Sequence, residues 1–417
     1  MQEIRVIFSS KCKQNTLNLI ESIQQNHSIN FNIAEYKLFV HIIDKSPNQN
    51  LSLISDSFDI PVYVIPLFEI LTLEDKYEQL LKEANCSRKI DSIQRTRIQQ
   101  QIVVLELYSV FKKSIIWQVD DDMLFAQSRF KDRDHSVHYH NNYFSELTLL
   151  NSELKEVDCL IGPSTYAPPI PSLLYCKTQL SLLFHKQLTD EDYSLKEYHD
   201  YYSERTERSG QRLTIFPEED VVDLTRKIIL GHPITAFATK TGSEKDHLAP
   251  SRLLRGGNFI ILNPEIFTVP HLGYVENDGL PARRSDMIHA HLLSERGFDI
   301  RDTNHFSLIH NRNFNSTTIH DCVEKYHTDM IGSLLVQYLF KSPSDFRKRL
   351  KFHKGHIKDI IGLIKDLHGN KHFRDEIHTL EQLDESIQRI NEADLINEFK
   401  KFDKKKNKRI KGLCKLA

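Results

Sequence analysis

The sequence lacks most of the features that would classify it at once. Its six cysteines contain no CxxC pair, which argues against a zinc knuckle or a disulfide framework and favours a reducing compartment, by default the cytoplasm. Because 55 Lys and Arg residues nearly balance 57 Asp and Glu residues, no net field attracts nucleic acid. The N-terminal apolar run "IRVIF" is too short for a signal peptide or anchor, and no later run approaches the roughly 20 apolar residues of a spanning helix.

The glycine-rich loops that bind phosphate are also missing. Neither GxGxxG nor GxxxxGK(S/T) occurs, which argues against a dinucleotide-binding enzyme and against a kinase. The turn "SSKCKQN" after the first predicted strand contains no glycine at all. The pair Gly256 and Gly257 is instead typical of a place where the backbone comes close to a sugar or to a neighbouring strand.

The sequence does contain a regular alternation of short β-branched runs and helical periodicity. "IRVIFSS", "YKLFVHIID", "IPVYVIPL" and "SIIWQVDDD" are predicted strands, "TLNLIESIQQ" is a predicted helix, and a long helical stretch is predicted from about Glu74 to Phe111. This pattern is typical of βαβ units. We therefore expect an α/β fold with a mostly parallel sheet.

Composition also suggests how the chain is divided. We expect residues 1–315 to form the α/β domain and residues 316–417 a helical C-terminal region. Residues 167–253 are polar and rich in charge and tyrosine, and they are too long for a plain connection, which predicts an inserted subdomain or lid. The basic tail "KKFDKKKNKRIKGLCKLA" is most simply a solvated end, and peripheral contact with an anionic membrane is the alternative. Three roles stay open for the helical region: self-association into a homo-oligomer, membrane contact and protein docking.

Three consecutive carboxylates, Asp120, Asp121 and Asp122, follow the buried strand "SIIWQV". In an open α/β sheet, ligands bind beyond the carboxyl ends of the strands. A divalent cation relieves the mutual repulsion of clustered carboxylates most directly, and hard oxygen ligands favour Mg²⁺ or Mn²⁺. A solvated acidic turn is the competing interpretation. If the strand continues, Asp120 and Asp122 point to one side and Asp121 to the other.

The arrangement resembles glycosyltransferases of the GT-A fold, especially the family 2 type, which implies a Rossmann-like α/β fold with a mixed, mostly parallel sheet flanked by helices. Asp120, Asp121 and Asp122 match the aspartate-x-aspartate element, which in that family binds a divalent metal and the diphosphate of a nucleotide sugar. Asp44, in "FVHIIDKSPN", matches an aspartate that contacts the nucleotide base. Ser9, with Ser10 and Lys11 after it in "IFSSKCKQN", matches a turn that lines the nucleotide pocket.

The resemblance continues downstream in the same order. "GGNFIILNPEIF", which contains Gly257, resembles the strand that passes beneath the donor sugar. "RRSDMIHAHLLSERGFDI" resembles the family's Glu-Asp helix and matches Asp286 to the family's catalytic base, with Ser285 where glutamate is usual and Gly297 at the expected spacing. His310, in "SLIHNR", matches a histidine that completes the metal site.

Several of these matches have local alternatives. The nucleotide-contacting arginine of the family falls on Arg95 or Arg97. Asp286 precedes an apolar helical stretch and would equally serve as an ordinary helix cap. His310 competes with His305, and a lone histidine after a strand is more often a satisfied structural residue than a ligand.

The resemblance implies a glycosyltransferase of the hexosyltransferase type. It would use Mn²⁺ or Mg²⁺ to move a sugar from a nucleotide-diphosphate donor to the hydroxyl of a glycan, lipid or other acceptor, with inversion and with Asp286 as base. The insertion at 167–253 would then lie on the acceptor side. Three alternatives stay open: a retaining transferase with the same metal site, which would not need Asp286 as base; a sugar-nucleotide nucleotidyltransferase; and a catalytically degenerate GT-A scaffold that binds a partner through its helical tail.

Overall fold

A computed structural model describes the chain over most of its length. The described residues are 1–28, 35–46, 57–84, 92–131, 134–138, 142–151, 156–162, 164–166, 172–189, 211–215, 220–231, 235–240, 249–250, 257–273, 282–303, 305–311, 317–369 and 372–413, together with the single residues 51, 54, 86 and 154.

Strands occur mainly in the first two thirds of the chain, and long helices form the last quarter. The strands are β1 (Gln2–Ser10), β2 (Tyr36–Asp44), β3 (Val62–Ile65), β4 (Ser114–Val119), β5 (Met123–Leu124), β6 (Gln127–Lys131), β7 (Asp134–His138), β8 (Cys159–Ile161), β9 (Ser164–Tyr166), β10 (Gln211–Ile215), β11 (Thr235–Lys240), β12 (Ala249–Pro250), β13 (Asn258–Ile261), β14 (Ile300–Asp302) and β15 (Leu308–His310). The helices are α1 (Lys13–Ser28), α2 (Leu67–Lys76), α3 (Glu78–Ala84), α4 (Ile93–Glu106), α5 (Tyr108–Phe111), α6 (Tyr143–Asn151), α7 (Ser172–Thr189), α8 (Val221–Ile229), α9 (Ser285–Glu295), α10 (Ile319–Phe340), α11 (Pro343–His368), α12 (Arg374–Gln388) and α13 (Glu392–Leu413), with a 3₁₀ helix at Pro264–Thr268.

The chain forms two compact units. The first contains residues 1–165, 239–273 and 285–311, and the second contains residues 166–238, 274–284 and 312–417. The second unit thus combines much of the polar segment after residue 166 with the C-terminal helices. The division into an α/β domain ending at residue 315, with 167–253 as its insertion, stays a prediction.

The first unit is built on an eight-stranded sheet with the strand order β12-β14-β8-β13-β4-β1-β2-β3. The pairs β1–β2, β1–β4, β2–β3 and β8–β14 are parallel, whereas β13 runs antiparallel to both β4 and β8, and β12 runs antiparallel to β14. The expected α/β class, with a mixed and mostly parallel sheet, is confirmed. The central strands β1 and β4 carry buried apolar residues on both faces because helices cover both sides.

Trp117 is at the centre of the apolar core on one face of this sheet. The Trp117 ring contacts the rings of Phe125, Phe144 and Phe306, and its indole nitrogen donates a 2.8 Å hydrogen bond to the side chain of Asn258. Because the polar edge of the indole is bonded, the ring can be fully buried without an unsatisfied donor. This core holds β4 and the strands beside it in fixed positions beneath the three aspartates.

The predicted long helix between β3 and β4 is divided into several helices in the structure. Helix α4 begins after Ser92, whose side chain accepts a 3.1 Å hydrogen bond from the backbone N–H of Arg95. Serine at this position competes with helix continuation and favours a new helix start. Helix α4 ends before Leu107, whose backbone leaves the helical conformation. This new start places Arg97 in the second turn of α4.

The predicted C-terminal helical region is confirmed. Helices α10 and α11 each begin with a capping box, Thr318 with Asp321 and Ser342 with Asp345. Apolar residues spaced three or four positions apart along α11 and α12 are buried, among them Ile357, Ile360, Ile364, Leu380, Leu383 and Ile387. Among the described residues, no helix is long and apolar enough to cross a membrane.

Helix α10 also holds the turn at residues 283–284, within the second unit. The backbone N–H of Arg283 donates to the Thr328 carbonyl at 3.0 Å, and Arg284 forms a 2.6 Å ion pair with Asp329. Arg284 has a φ of 76°, which a residue with a β carbon rarely adopts. A β carbon at Gly332 would lie 2.0 Å from the Arg283 carbonyl oxygen, so glycine is required for this approach.

Candidate active site

The carboxyl ends of β1, β2 and β4 meet at one edge of the sheet because these strands are parallel. Ser10 pairs with Asp44 across β1 and β2, and Ile7 pairs with Gln118 across β1 and β4. Continuing the second pairing by three residues brings Ser10 opposite Asp121. The sheet therefore gathers polar residues from distant parts of the sequence at the place where ligands bind in such folds.

Asp121 contacts the end of the first strand. The Ser10 hydroxyl donates a 2.7 Å hydrogen bond to its Oδ2. Burial raises the pKa of Asp121 to about 7, the Ser10 hydrogen bond opposes this shift, and the charges of Asp122 and Asp120 add to it. Strand β4 ends at Val119, so strand alternation does not apply to the aspartates and each side chain has a different partner.

Asp122 is paired with the predicted histidine. Strand β15 runs antiparallel to β5, which brings His310 beside the acidic turn, and the N–H of Asn311 donates to the Asp122 carbonyl at 2.6 Å. His310 Nε2 lies 2.9 Å from Asp122 Oδ2, and the histidine side chain is only 3% exposed. His305 lies instead against Glu146. Of the two histidines, the structure thus brings His310 to the aspartates.

The chemistry of this pair suits a divalent cation. A carboxylate oxygen and an imidazole nitrogen are ligands that Mn²⁺ accepts, and substrate phosphates commonly complete such sites. Within the part of the chain that the structure describes, no group of three or more His, Cys, Asp or Glu residues is arranged to hold a metal ion by itself. Asp122 and His310 together therefore supply two side chains of the kinds that bind such a cation.

Asp120 and Asp286 are joined by Arg97. Nη2 of Arg97 donates to Asp120 Oδ1 at 2.8 Å, and Nε donates to Asp286 Oδ1 at 3.2 Å. Asp286 lies in the first turn of α9, so its expected position at a helix start is observed, but its carboxylate contacts a distant arginine. The structure places two predicted catalytic or metal-binding carboxylates on one guanidinium group.

Gly257 lies directly against Asp120. Its carbonyl accepts the Asp120 N–H at 3.2 Å, and its φ of 110° lies in the region that favours glycine. A β carbon at Gly257 would lie 2.8 Å from Met123 Cε and 3.1 Å from Asp120 Oδ2. The close approach expected of the Gly257 backbone is therefore made to the acidic turn.

Asp44 and Ser9, the residues predicted to contact the nucleotide base and to line its pocket, are both buried in the protein. Asp44 is buried, and its carboxylate accepts hydrogen bonds from the backbone N–H groups of Ser46 and Leu51 and from the Ser46 hydroxyl. These contacts hold Ser46 and Leu51 at the end of β2. The hydroxyl of Ser9 is buried and has no hydrogen-bond partner among the described residues. Contacts of either residue with a nucleotide stay predictions.

Ser10 was expected to line the nucleotide pocket together with Ser9, but alternation along β1 places the two side chains on opposite faces, and only the pairing of β1 with β4 shows that Ser10 meets Asp121. One polar residue at this edge, Lys45, was missed as a site candidate. Lys45 follows β2 and donates to Thr96 Oγ1 at 2.8 Å. Burial, followed by the charges of Lys11 and Arg95, lowers the pKa of Lys45 to about 8.

The other arginine candidate of α4 has a structural partner. Arg95 forms a two-point ion pair with Glu74, with distances of 2.8 and 2.7 Å, and Gln99 donates to the same carboxylate at 2.9 Å. Glu74 is almost completely buried, so this pair satisfies a carboxylate that would otherwise be costly to bury. Of the two candidates, Arg97 is the one that contacts the acidic turn.

No protein-family model and no curated protein sequence matches the chain. Among solved structures, the chain is similar to residues 1–349 of S. aureus TarS in complex with UDP-GlcNAc, with 9% identity over 93% of this chain and 92% of that one and a TM-score of 0.36. Mouse xyloside xylosyltransferase 1 in its apo form shows 11% identity over 45% and 58% of the two chains, with a TM-score of 0.26. Core-mannan synthase A of Aspergillus fumigatus, in its Mn/GDP form, shows 10% identity over 78% and 72%, with a TM-score of 0.24. At these scores the similarities carry no argument, and the assignment of function depends on the site.

Proposed function

We propose that the protein is a GT-A-type glycosyltransferase that transfers a sugar from a nucleotide-diphosphate donor to an acceptor hydroxyl. One observation supports this most strongly. The acidic turn after β4 has its three carboxylates directed to three different partners, Ser10, Arg97 and His310, at the ligand-binding edge of the sheet. An acidic turn that served only as a solvated loop would not need a buried arginine and a buried histidine against it.

The reaction requires one group to accept a proton and others to neutralise the leaving group. In the proposed inverting transfer, Asp286 takes the proton of the acceptor hydroxyl while the acceptor oxygen forms a bond to the anomeric carbon. The bond from that carbon to the diphosphate oxygen breaks, and its electron pair leaves on the diphosphate. Lys11 and Lys45 lie near the end of β1 and β2, where their positive charges would favour the phosphates.

A divalent cation would be held by Asp122 and His310, with Asp120 as a further ligand. When bound, Mn²⁺ or Mg²⁺ supplies positive charge that stabilises the leaving diphosphate. Ser9 and Asp44 are proposed to line the base side of the donor pocket, and Gly257 the sugar side. Asp121, whose pKa burial raises to about 7, carries only part of a negative charge near pH 7 and so limits the negative charge of the turn.

The donor site can be tested by thermal unfolding with UDP-, GDP-, CMP- and dTDP-linked sugars, with and without Mn²⁺. Binding at a hundred times the dissociation constant stabilises a protein by about 2.7 kcal/mol, which raises the melting temperature by several degrees. We expect such a rise for one nucleotide class only when Mn²⁺ is present. Release of the nucleoside diphosphate in the presence of the same donor would then demonstrate turnover.

The matched variants are Asp122→Asn, His310→Gln and, as a control, Asp299→Asn. Asp299 belongs to the same unit but forms a partly exposed ion pair with Arg301, away from the acidic turn. The first two variants are expected to lose the Mn²⁺-dependent rise, and the control is expected to keep it. If no nucleotide raises the melting temperature of the well-folded wild-type protein, the proposed function is wrong.

A further inference from the structure

Arg97 is more completely enclosed than a residue that contacts a ligand needs to be. Its side chain is 1% exposed, and each of its three guanidinium nitrogens donates a hydrogen bond to the protein. The acceptors are Asp120 at 2.8 Å, Asp286 at 3.2 Å and the side-chain oxygen of Gln100 at 3.3 Å. The guanidinium therefore has almost no surface to offer to a nucleotide.

The orientation of the guanidinium is itself supported. The side-chain oxygen of Gln100 also accepts a hydrogen bond from Gln118, a buried residue of β4. Arg97 is thus held between its own helix α4 and strand β4, which ends at Val119 just before Asp120. Burial by itself lowers the pKa of Arg97, but the charges of Asp120 and Asp286 outweigh this effect and the net pKa is raised.

Asp286 is bordered on another side by two stacked histidines. The rings of His271 and His289 lie 3.7 Å apart at 14°, and His271 Nδ1 lies 4.0 Å from Asp286 Oδ1. Burial lowers the pKa of both histidines, to about 4 for His289. Both rings are therefore neutral near pH 7, and Arg97 supplies the positive charge beside Asp286.

Asp120 and Asp286 remain the more accessible members of this cluster. The side chain of Asp120 is 38% exposed and that of Asp286 is 14% exposed, whereas Arg97 lies behind them. Asp120 belongs to the proposed donor side and Asp286 to the proposed acceptor side. A planar guanidinium can hold two carboxylates at a fixed separation, which the single ammonium of lysine cannot do in the same way.

We propose that Arg97 is a positioning residue, which fixes the Asp120 carboxylate relative to the Asp286 carboxylate and does not contact the nucleotide. This inference depends on the proposed function, because it concerns the donor and acceptor sides of that site. A loss of alignment between reacting groups by about 1 Å can lower turnover by about 100-fold without changing donor affinity. A nucleotide contact would instead affect affinity first.

The test compares wild type with Arg97→Lys and with Arg5→Lys. Arg5 is a buried arginine of the same sheet that bonds Ser114 and His41, so its variant controls for the loss of a buried guanidinium. Binding of UDP, GDP, CMP and dTDP with Mn²⁺ is measured by calorimetry, and hydrolysis of the matching sugar nucleotide gives kcat and KM with water as the acceptor.

For Arg97→Lys we expect a dissociation constant within about twofold of wild type and a kcat lowered by about 100-fold. The control variant, Arg5→Lys, is expected to keep the kcat of wild type. A tenfold weaker nucleotide affinity in Arg97→Lys would show a nucleotide contact and overturn the inference, and so would an unchanged kcat. Absence of nucleotide binding in wild type would instead refute the proposed function itself.

If Arg97→Lys does not fold, Gln100→Met replaces it. This change leaves the guanidinium in place but removes its support at Nη1. We again expect the nucleotide affinity to stay unchanged while the kcat falls, here by about 10-fold because the misalignment is smaller. Weaker nucleotide affinity, or an unchanged kcat, would contradict the positioning role in this variant as well.

Discussion

Replacement of Asp121 by asparagine is expected to stabilise the protein. Asp121 is ionised at a cost, because its carboxylate is largely buried between Asp120 and Asp122 and has one hydroxyl donor, that of Ser10. Asparagine has almost the same shape, and its side-chain oxygen can still accept the Ser10 hydrogen bond. The change therefore removes the cost of the charge and keeps the contact.

The size of the effect follows from the pKa. A rise from 3.8 to about 7 corresponds to roughly 4 kcal/mol, at about 1.36 kcal/mol per pH unit, as an upper limit. Because the side chain keeps partial contact with solvent, which screens the charge, we expect roughly 1–2 kcal/mol at pH 8.

The sign of the pH dependence is also determined. Between pH 3.8 and about 7 the folded state binds the Asp121 proton more tightly than the unfolded state, so wild-type stability decreases as the pH rises through this window. The asparagine variant has no such proton. Its advantage should therefore be largest above pH 7 and decrease steadily towards pH 5.

The assay is urea unfolding of both proteins at pH 8 and pH 5, with a chelator present so that no metal ion alters the charge. Asp299→Asn serves as the control, since its exposed ion pair predicts a change below about 1 kcal/mol at either pH. Destabilisation by Asp121→Asn at pH 8, or a gain of equal size at both pH values, would refute the electrostatic reasoning.

Three further predictions concern backbone space and a buried charge. Gly257→Ala is expected to destabilise by roughly 2 kcal/mol or more in urea unfolding, and by more than Gly297→Ala, since both have a left-handed φ but only Gly257 is crowded. Gly332→Ala is expected to lower the melting temperature, whereas Gly355→Ala, in open surroundings on a helix, should stabilise by up to roughly 1 kcal/mol; equal shifts would contradict this. Burial lowers the pKa of His41 to about 3, so wild type should lose up to about 1.4 kcal/mol per pH unit as the pH falls from 6.5 towards 3. His41→Gln should reduce that slope, and identical slopes would show that His41 does not cause it.

The sequence by itself determined the α/β class, the main strands and the C-terminal helices. Apolar periodicity and capping residues act over a few positions, so they can be recognised without knowledge of the fold. The acidic turn can be recognised in the same way, because the three aspartates directly follow "SIIWQV", which forms a buried strand. Local signals were weaker between β3 and β4, where Ser92 starts a new helix inside a stretch predicted to be continuous.

Tertiary structure alone decided what each aspartate contacts. Asp121 meets Ser10 because β1 and β4 are parallel neighbours, and Asp122 meets His310 because β15 pairs with β5. Arg97 joins Asp120 to a helix start more than 150 residues later in the chain. Such pairings depend on strand order and on the packing of distant elements, and these leave no periodic trace in the local sequence.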